Sequence, residues 1–226
     1  GGVSPADPRI VPNARKMEEV TYDEMLEMAS LGAKVLHSRC VEIAKKYGVE
    51  LLVCSSLNRN SGTMVREKTK MEKMLISGVA ADKNVAKIRV AGLGNDPEST
   101  FRLLNLLDRN NLNIDVMIQS LGKDGTKSVS FTVAKPDMLR TIDVLNDNKD
   151  SLGIKKLDYD ENVAKISVIG AGVRSHSGVA AKMFGALANA GINTEMITTS
   201  EIRITALINE AYADQAMRAI HETFLE

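Results

Sequence analysis

The sequence is poor in aromatic residues and cysteine and has no excess charge of either sign. Its 226 residues include no Trp, four Phe, four Tyr and two Cys, and 29 Lys+Arg balance 29 Asp+Glu. A neutral chain has no general attraction for phosphate backbones or anionic membranes, so we expect neither nucleic-acid nor membrane partners. Cys40 and Cys54 are not in a Cys-x-x-Cys pattern. This excludes a disulfide scaffold and a structural zinc site, and it favours a reduced, cytoplasmic protein.

Long hydrophobic runs are absent as well. No stretch approaches the roughly 18 apolar residues that cross a bilayer, and the N-terminus does not look like a signal peptide. His37, His176 and His221 are far apart and lack metal-ligand spacing. We therefore expect packing or capping histidines, no metal site and no catalytic residue. With 44% apolar and 26% charged residues, the composition is that of a soluble globular protein.

An internal repeat is the strongest feature that is present. The eleven residues 84–94 match residues 162–172 at eight positions, and the match resumes at 112–115 against 192–195. Apolar β-branched runs and helical spacing predict the same order in each copy: a strand, a helix, two more strands and a second helix. The chain therefore contains two copies of one structural module.

The helices and strands within the two copies are predicted from local signals. Asp96-Pro97 gives the first copy an N-cap and a proline at the first helical position. Ser177 is the predicted cap in the second copy. The strands that follow these helices are predicted over 112–118 and 192–198.

The last strand indicates how the copies are connected. The first copy closes with a predicted strand at about 154–159, and residues 74–80 are its counterpart for the second copy. We therefore expect the first copy to be inserted in the second. The predicted fold class is α+β, with two ferredoxin-like βαββαβ units and antiparallel sheets. The predicted domains are 1–66, then 84–158, and 70–83 together with 159–226.

Residues 1–66 lie outside the repeat. Thr21-x-x-Glu24 is a capping box, and a second helix is predicted from about Val35 to Tyr47, ended by Gly48. Two helices with one or two short strands bury little apolar surface by themselves. We interpret this segment as the end of a larger domain.

Several strings resemble the C-terminal part of the aspartate kinase family. Residues 6–12 and 31–37 are similar to the end of its amino-acid-kinase domain, which is an α/β domain. The two copies resemble its paired ACT domains, most specifically at 174–176, 178–184 and 199–203. The resemblance implies feedback control, by end-product amino acids, of the phosphorylation of L-aspartate by ATP in lysine, threonine and methionine biosynthesis.

The resemblance also implies residue roles and partners. Arg9 and Lys34 correspond to residues near the nucleotide phosphates. The family's N-terminal Lys-Phe-Gly-Gly motif and aspartate-binding loops are not in this chain, so we expect it to be inactive alone, with Mg-ATP needed only by the complete enzyme. The implied partners are L-lysine and/or L-threonine, a kinase domain or subunit, and a second copy bound through the ACT units as a dimer.

The loop at residues 94–98 is the best candidate for ligand chemistry. N–H groups at a helix N-terminus suit the carboxylate of an amino acid, and nearby oxygens suit its ammonium. The alternative is that Asp96 serves only as a cap. With the resemblance, we favour an effector site formed by this loop and the next strand, facing 192–200 of the other unit or of a partner chain. Its predicted residues are Asn95, Asp96, Pro97, Glu98, Asn113, Ile114, Asp115, Gln119, Thr194, Glu195, Ser200 and Glu201.

The sequence also bears on three functions other than amino-acid sensing: dinucleotide binding, RNA recognition and dimerisation. Gly92-x-Gly94 and Gly170-x-Gly172 lack the third glycine of a dinucleotide site, which favours simple turns. RNA-recognition modules share the βαββαβ order, but the central strands offer a single Phe and the charge is balanced, so we reject that function. A purely structural dimerisation module stays open, because exposed sheet edges can pair across subunits.

Overall fold

The protein is described by a computed structural model over residues 2–31, 35–57, 61–68 and 76–225. The chain divides into two compact units, one of Gly1–Asp82 with Lys165–Glu226 and one of Lys83–Ala164. Within the described ranges, no helix has both the length and the apolar character that a membrane crossing requires.

In the N-terminal segment, residues 2–66, the described ranges 2–31, 35–57 and 61–66 form a three-stranded sheet with two helices. The Thr21 hydroxyl accepts the Glu24 N–H at 3.2 Å, and the Glu24 carboxylate accepts the Thr21 N–H at 3.1 Å, which confirms the predicted capping box. The second helix begins at Ser38, later than predicted, because the His37 imidazole accepts the Arg39 N–H there. The elements are β1 (Glu19–Thr21), α1 (Tyr22–Ser30), α2 (Ser38–Tyr47), β2 (Leu51–Val53) and β3 (Thr63–Arg66), in the sheet order β1-β3-β2.

The first copy of the repeat, called here the inserted module, is a four-stranded antiparallel sheet. After β4 (Gly78–Asp82), its elements are β5 (Val85–Leu93), α3 (Pro97–Arg109), β6 (Met117–Leu121), β7 (Lys127–Ala134), α4 (Met138–Asp147), α5 (Lys149–Leu152) and β8 (Lys156–Asp160). The sheet order is β6-β7-β5-β8. Alternate residues of β5, such as Ile88 and Val90, pack against Leu103, Leu107 and Phe131 in the core. This alternation matches the period of a strand with one face on a core.

The second copy, called here the split module, is completed by a strand that precedes the inserted module. Its elements are β4, β9 (Val163–Ile169), α6 (Gly172–Ser175), α7 (Gly178–Asn189), β10 (Met196–Thr199), β11 (Arg203–Asn209) and α8 (Ala213–Leu225), in the sheet order β10-β11-β9-β4. Strand β4 pairs antiparallel with β9, from Gly78 opposite Ile169 to Asp82 opposite Lys165. The predicted insertion of one βαββαβ unit in the other is therefore confirmed. Residues 70–75 of the predicted boundary segment, including the start of its strand, lie outside the described residues.

The second strand of each module begins later than predicted, at Met117 and at Met196. In the inserted module, the Asp115 N–H donates to the Thr132 carbonyl at 3.1 Å and the Val116 N–H to the Thr132 hydroxyl at 3.1 Å. Because two successive N–H groups bond to one residue, the regular ladder starts only after them.

The predicted cap at Ser177 is wrong. Ser177 has helical dihedral angles, φ −58° and ψ −21°, and its side chain makes no capping hydrogen bond. The extended residue at this helix start is His176, with φ −131° and ψ 108°, and its carbonyl accepts the Val179 N–H at 3.2 Å. Ser177 therefore already lies in the helical backbone, whereas an N-cap residue needs an extended conformation. Asp96 has that geometry, with φ −114° and ψ 161°, so the cap of α3 is confirmed.

Candidate functional site

The first turn of α3 is closed by its own cap. The Asp96 carboxylate accepts the N–H groups of Glu98 at 2.9 Å and Ser99 at 2.8 Å, together with the Ser99 hydroxyl. The hydrogen bond from the Ser99 hydroxyl is the main reason that the pKa of Asp96 lies below its usual value. Since Pro97 has no N–H, the backbone donors expected to receive a ligand carboxylate are already occupied.

Side chains from two strands lie beside this turn. The Thr100 hydroxyl donates to the Gln119 amide oxygen at 2.6 Å, and the Lys127 ammonium donates to the Asp96 carbonyl at 2.8 Å. The structure therefore brings the α3 turn, β6 and the start of β7 together. Lys127 was not predicted, and its position after a turn gave no signal in the sequence. We call residues 95–100 with Gln119 and Lys127 the α3 site.

Two glycines before α3 are required by the backbone. Gly92 has φ +89° at an irregularity in the pairing of β5 with β7, and a Cβ there would lie 2.5 Å from the Lys155 Cβ. A Cβ on Gly94 would lie 2.5 Å from an Asp96 carboxylate oxygen. These glycines serve a bulge and a close approach, which fits the turn interpretation.

Three other predicted residues precede β6 rather than lying within it. Asn113 and Asp115 are exposed, and Ile114 is half-buried and packs against the core of the inserted module. Asn113 and Asp115 therefore lie just before β6, the strand that contains Gln119.

In the split module, the four predicted residues lie on either side of β10. Thr194 helps to line a concavity of about 430 Å³, and the Glu195 N–H donates to the Leu207 carbonyl at 2.9 Å. Glu201 forms an exposed ion pair with Arg174 at 2.9 Å. The Ser200 N–H donates to a main-chain carbonyl of β11 at 2.7 Å. The other residues that line the concavity are Phe184, Leu187, Ala188, Gly191, Ile192 and Asn193.

The segment assigned to the nucleotide by resemblance is described in part. The Arg9 guanidinium is 82% exposed and donates to the Asp7 carboxylate at 3.0 Å from Nε and 2.6 Å from Nη2. These hydrogen bonds lower the pKa of Asp7. Lys34 lies outside the described residues.

The α3 site offers charges of both signs. Asp96 and Glu98 supply the carboxylates. The positive charges come from Lys127, whose ammonium donates to the Asp96 carbonyl, and from Arg102, whose charge helps to lower the pKa of Asp96. Mixed charges with a neutral hydroxyl–amide pair suit a small zwitterion. Across the described ranges, no three His, Cys, Asp or Glu side chains come together as a possible metal site.

Comparisons with known proteins agree with this architecture. Residues 166–224 match the ACT domain model, and residues 1–55 match the model of the amino acid kinase family. The chain therefore combines ACT-type regulatory structure with a kinase-type segment.

Comparisons over nearly the whole of this chain identify the family. The aspartokinase of Pseudomonas aeruginosa is 41% identical over 226 residues, which are 99% of this chain and 55% of that protein. Solved aspartokinase alpha and beta subunits are 42% identical with a TM-score of 0.62, over 66% of this chain and 98% of theirs. E. coli aspartokinase III, solved with lysine and aspartate, is 26% identical with a TM-score of 0.81, over 100% of this chain and 50% of that one.

This chain belongs to the aspartate kinase family and contains its ACT-type regulatory region. The predicted resemblance and fold class are confirmed. The chain spans about half the length of the curated relatives it matches, 55% of the first and 54% of the second.

Proposed function

We propose that this chain is the sensing region of a cytoplasmic aspartate kinase, binding L-lysine and/or L-threonine to control the phosphorylation of L-aspartate by ATP. The α3 site is the observation that carries the proposal, because it places charges of both signs beside a hydroxyl–amide pair. Further support comes from the likeness to an aspartokinase solved with lysine. Mg-ATP belongs, in this proposal, to the complete enzyme.

The cap of α3 decides how an amino acid would be held. Because Asp96 occupies the Glu98 and Ser99 N–H groups, the ligand carboxylate must turn to a side-chain donor, and the Lys127 ammonium has donors beyond the one that it gives to the Asp96 carbonyl. The exposed carboxylate of Glu98 suits the ligand ammonium. The Thr100–Gln119 hydrogen bond already joins α3 to the edge strand β6. A ligand bound beside it would strengthen or weaken that link, and this is the change that a regulatory partner would detect.

The experiment is a thermal-unfolding titration of the chain with L-lysine, L-threonine and L-methionine. A ligand that binds only the native state at a hundred times its Kd stabilises it by about 2.7 kcal/mol, so a saturable rise in the midpoint is expected for L-lysine or L-threonine. D-lysine, which has the same charge, is the control for stereospecific binding. No rise with any of the three L-amino acids would exclude the sensing function.

A matched pair of substitutions locates the site. Gln119→Ala removes an exposed side chain that bonds to Thr100. We expect it to raise the ligand concentration that gives half of the midpoint shift by a factor of roughly ten or more. Gln215→Ala removes an equally exposed glutamine from α8 and should leave the titration unchanged. Equal responses of the two variants would place the ligand elsewhere.

We also propose that the chain forms a dimer through its ACT modules. The edge strand β6 presents Met117, 38% exposed, and Leu121, 63% exposed, and the neighbouring helix α3 presents Phe101, 64% exposed. An exposed apolar edge strand favours pairing with a second copy. If Leu121→Lys converts a dimer to a monomer in sedimentation, the edge is the interface. A dimer that binds no amino acid would support the alternative function, a structural dimerisation module.

The nucleotide role of Arg9 and Lys34 remains a proposal for the complete enzyme, with a kinase domain or subunit as the partner. The exposed Arg9 guanidinium suits a phosphate, but it is paired with Asp7. A nucleotide would therefore have to compete with that carboxylate. We expect Mg-ATP to leave the unfolding midpoint of this chain unchanged, and a clear rise would contradict the proposal that only the complete enzyme binds the nucleotide.

A further inference from the structure

The N-terminal segment packs on one face of the split module's sheet. Ala80 and Ile169, from β4 and β9, belong to the same buried core as Val20, Met25 and Leu31. Ala80 pairs with Ser167, which lies two residues before Ile169 on the same strand face, and the Ser167 and Thr205 hydroxyls are 2.7 Å apart. We call this the outer face of the split sheet. Because the core is shared, the segment and the outer face are one packed body.

An ion pair links α1 to β11 at this face. Arg203 lies two residues before Thr205 and donates to the Glu27 carboxylate at 2.8 Å. The two side chains are only 21% and 27% exposed. Arg203 ends the string 199–203, which was one of the most specific in the sequence, and it contacts the N-terminal segment.

Two further links reach the same strand region. The Glu24 carboxylate, which caps α1 with one oxygen, accepts the Ser77 hydroxyl with the other. The Val79 N–H of β4 donates to the Pro5 carbonyl at 2.6 Å. Gly78 makes this approach possible, since a Cβ there would lie 2.6 Å from the Met28 methyl carbon and 3.0 Å from the Pro5 carbonyl.

The chain just after Pro5 forms a tight turn that carries Arg9. The Asp7 carbonyl accepts the N–H groups of Ile10 at 2.9 Å and Val11 at 2.8 Å, while its carboxylate holds the Arg9 guanidinium. The turn is bonded internally from Asp7 to Val11, and the residue that β4 holds, Pro5, lies two positions before Asp7.

We infer that Arg203 and β4 position the turn at residues 5–11, so that the split module sets where Arg9 stands. Arg203 acts as a positioning residue through α1, and the Val79 N–H acts directly on the turn. The shared apolar core holds the segment against the sheet, and the 2.8 Å ion pair adds a directional contact between β11 and α1. The inference goes beyond the proposed function and holds whether or not the chain binds an amino acid.

The experiment is hydrogen exchange of the whole chain followed by mass spectrometry, with Arg203→Gln compared to the unchanged protein. The Ile10 and Val11 amides report on the turn, and the amides of α1 report on the helix. Loss of one charge-assisted hydrogen bond in a partly buried setting is expected to speed exchange of both regions roughly tenfold. Glu27→Gln should give the same result, and the double variant should add nothing to either single change.

Arg174→Gln is the matched control. Arg174 forms a 2.9 Å ion pair with Glu201, a residue of the split module and not of α1, and the two side chains are 72% and 75% exposed. It should leave exchange of residues 5–11 unchanged. Circular dichroism shows whether each variant is folded, and Glu27→Gln replaces Arg203→Gln if the latter does not fold. Unchanged exchange of the turn in the folded variant, or an equal increase in Arg174→Gln, overturns the inference.

Discussion

The inserted and split modules begin with nearly the same eleven residues and place them in different surroundings. Ile88 and Ile166, which correspond in the repeat, are both fully buried. The copies differ at the alternate positions of the strand. Arg89 of the inserted module corresponds to Ser167, and Ala91 corresponds to Ile169.

The differing positions lie on the outer faces of the two sheets. Arg89 is half-exposed and pairs with Asp158 at 3.4 Å, whereas Ser167 is fully buried and bonds to Thr205. Ile169 packs with the N-terminal segment. The module's own core fixes one face of each sheet, and the chain's other parts decide whether the second face is polar or apolar.

The largest effect is expected from exchanging residues between the modules at this position. Ser167→Arg places a charge in a fully buried position, which is expected to cost about 4 kcal/mol of unfolding free energy. Arg89→Ser removes an exposed ion pair and is expected to cost less than about 1 kcal/mol. Urea unfolding of both variants measures the asymmetry. Similar losses would mean that the two outer faces are equivalent.

The second expected effect concerns the core shared with the N-terminal segment. Ile169→Ala gives this position the side chain of its counterpart, Ala91. It should cost about 3 kcal/mol of unfolding free energy, because the surrounding residues cannot fully fill the cavity. Hydrogen exchange should accelerate in α1 as well as in the split sheet. Ile197→Ala, at a position 46% exposed on β10, is the control and should cost much less. Acceleration confined to the split sheet would contradict a shared core.

The third effect tests the two helix starts. Asp96→Ala removes the cap of α3 and should lower the thermal midpoint by roughly 3–5 °C. Ser177→Ala should leave it unchanged, because that hydroxyl makes no capping bond. Differential scanning calorimetry provides the measurement. A larger loss for Ser177→Ala would show that the two helices begin in the same way after all.

The smallest effect is the pH dependence of the difference in thermal midpoint between the unchanged protein and Asp96→Ala. The pKa of Asp96 in the folded protein is below the ordinary value of 3.8, chiefly because the Ser99 hydroxyl bonds to the carboxylate. The unfolded chain therefore binds the proton first, so the contribution of Asp96 is complete above about pH 5 and is lost as the pH falls through the lowered pKa. The midpoint difference between the unchanged protein and Asp96→Ala should shrink between pH 6 and pH 3. A constant difference would mean that the charge of Asp96 does not matter.

Much of the fold followed from local patterns, and the errors have local causes. The capping box of Thr21 and Glu24, the cap at Asp96 and the insertion of one copy in the other all depend on short-range chemistry or on the repeat itself. The cap at Ser177 was misplaced because His176, one residue earlier, is the extended residue at that helix start and Ser177 is already helical. The start of β6 was misplaced because Thr132, far along the chain, takes two successive N–H groups.

The candidate site was predicted less completely than the fold. The sequence indicated Asp96 and Gln119, but neither the Thr100 link between them nor the contribution of Lys127 has a signal in spacing. The sequence also suggested free N–H groups at α3, whereas the structure shows them capped. Whether a donor is free depends on side-chain conformation, which spacing does not encode.

The amino-acid order by itself determined that the chain holds two related βαββαβ modules, because periodicity, caps and a duplicated string are properties of neighbouring residues. The kinase-type character of the N-terminal segment came from the family resemblance. Tertiary structure alone decided which sheet face would be covered and where Arg203 would find its carboxylate. Those outcomes depend on contacts between residues 176 positions apart, and no local pattern specifies such a contact. The corresponding strands therefore have different outer faces: that of β5 carries the half-exposed Arg89, and that of β9 packs against α1 through Ile169.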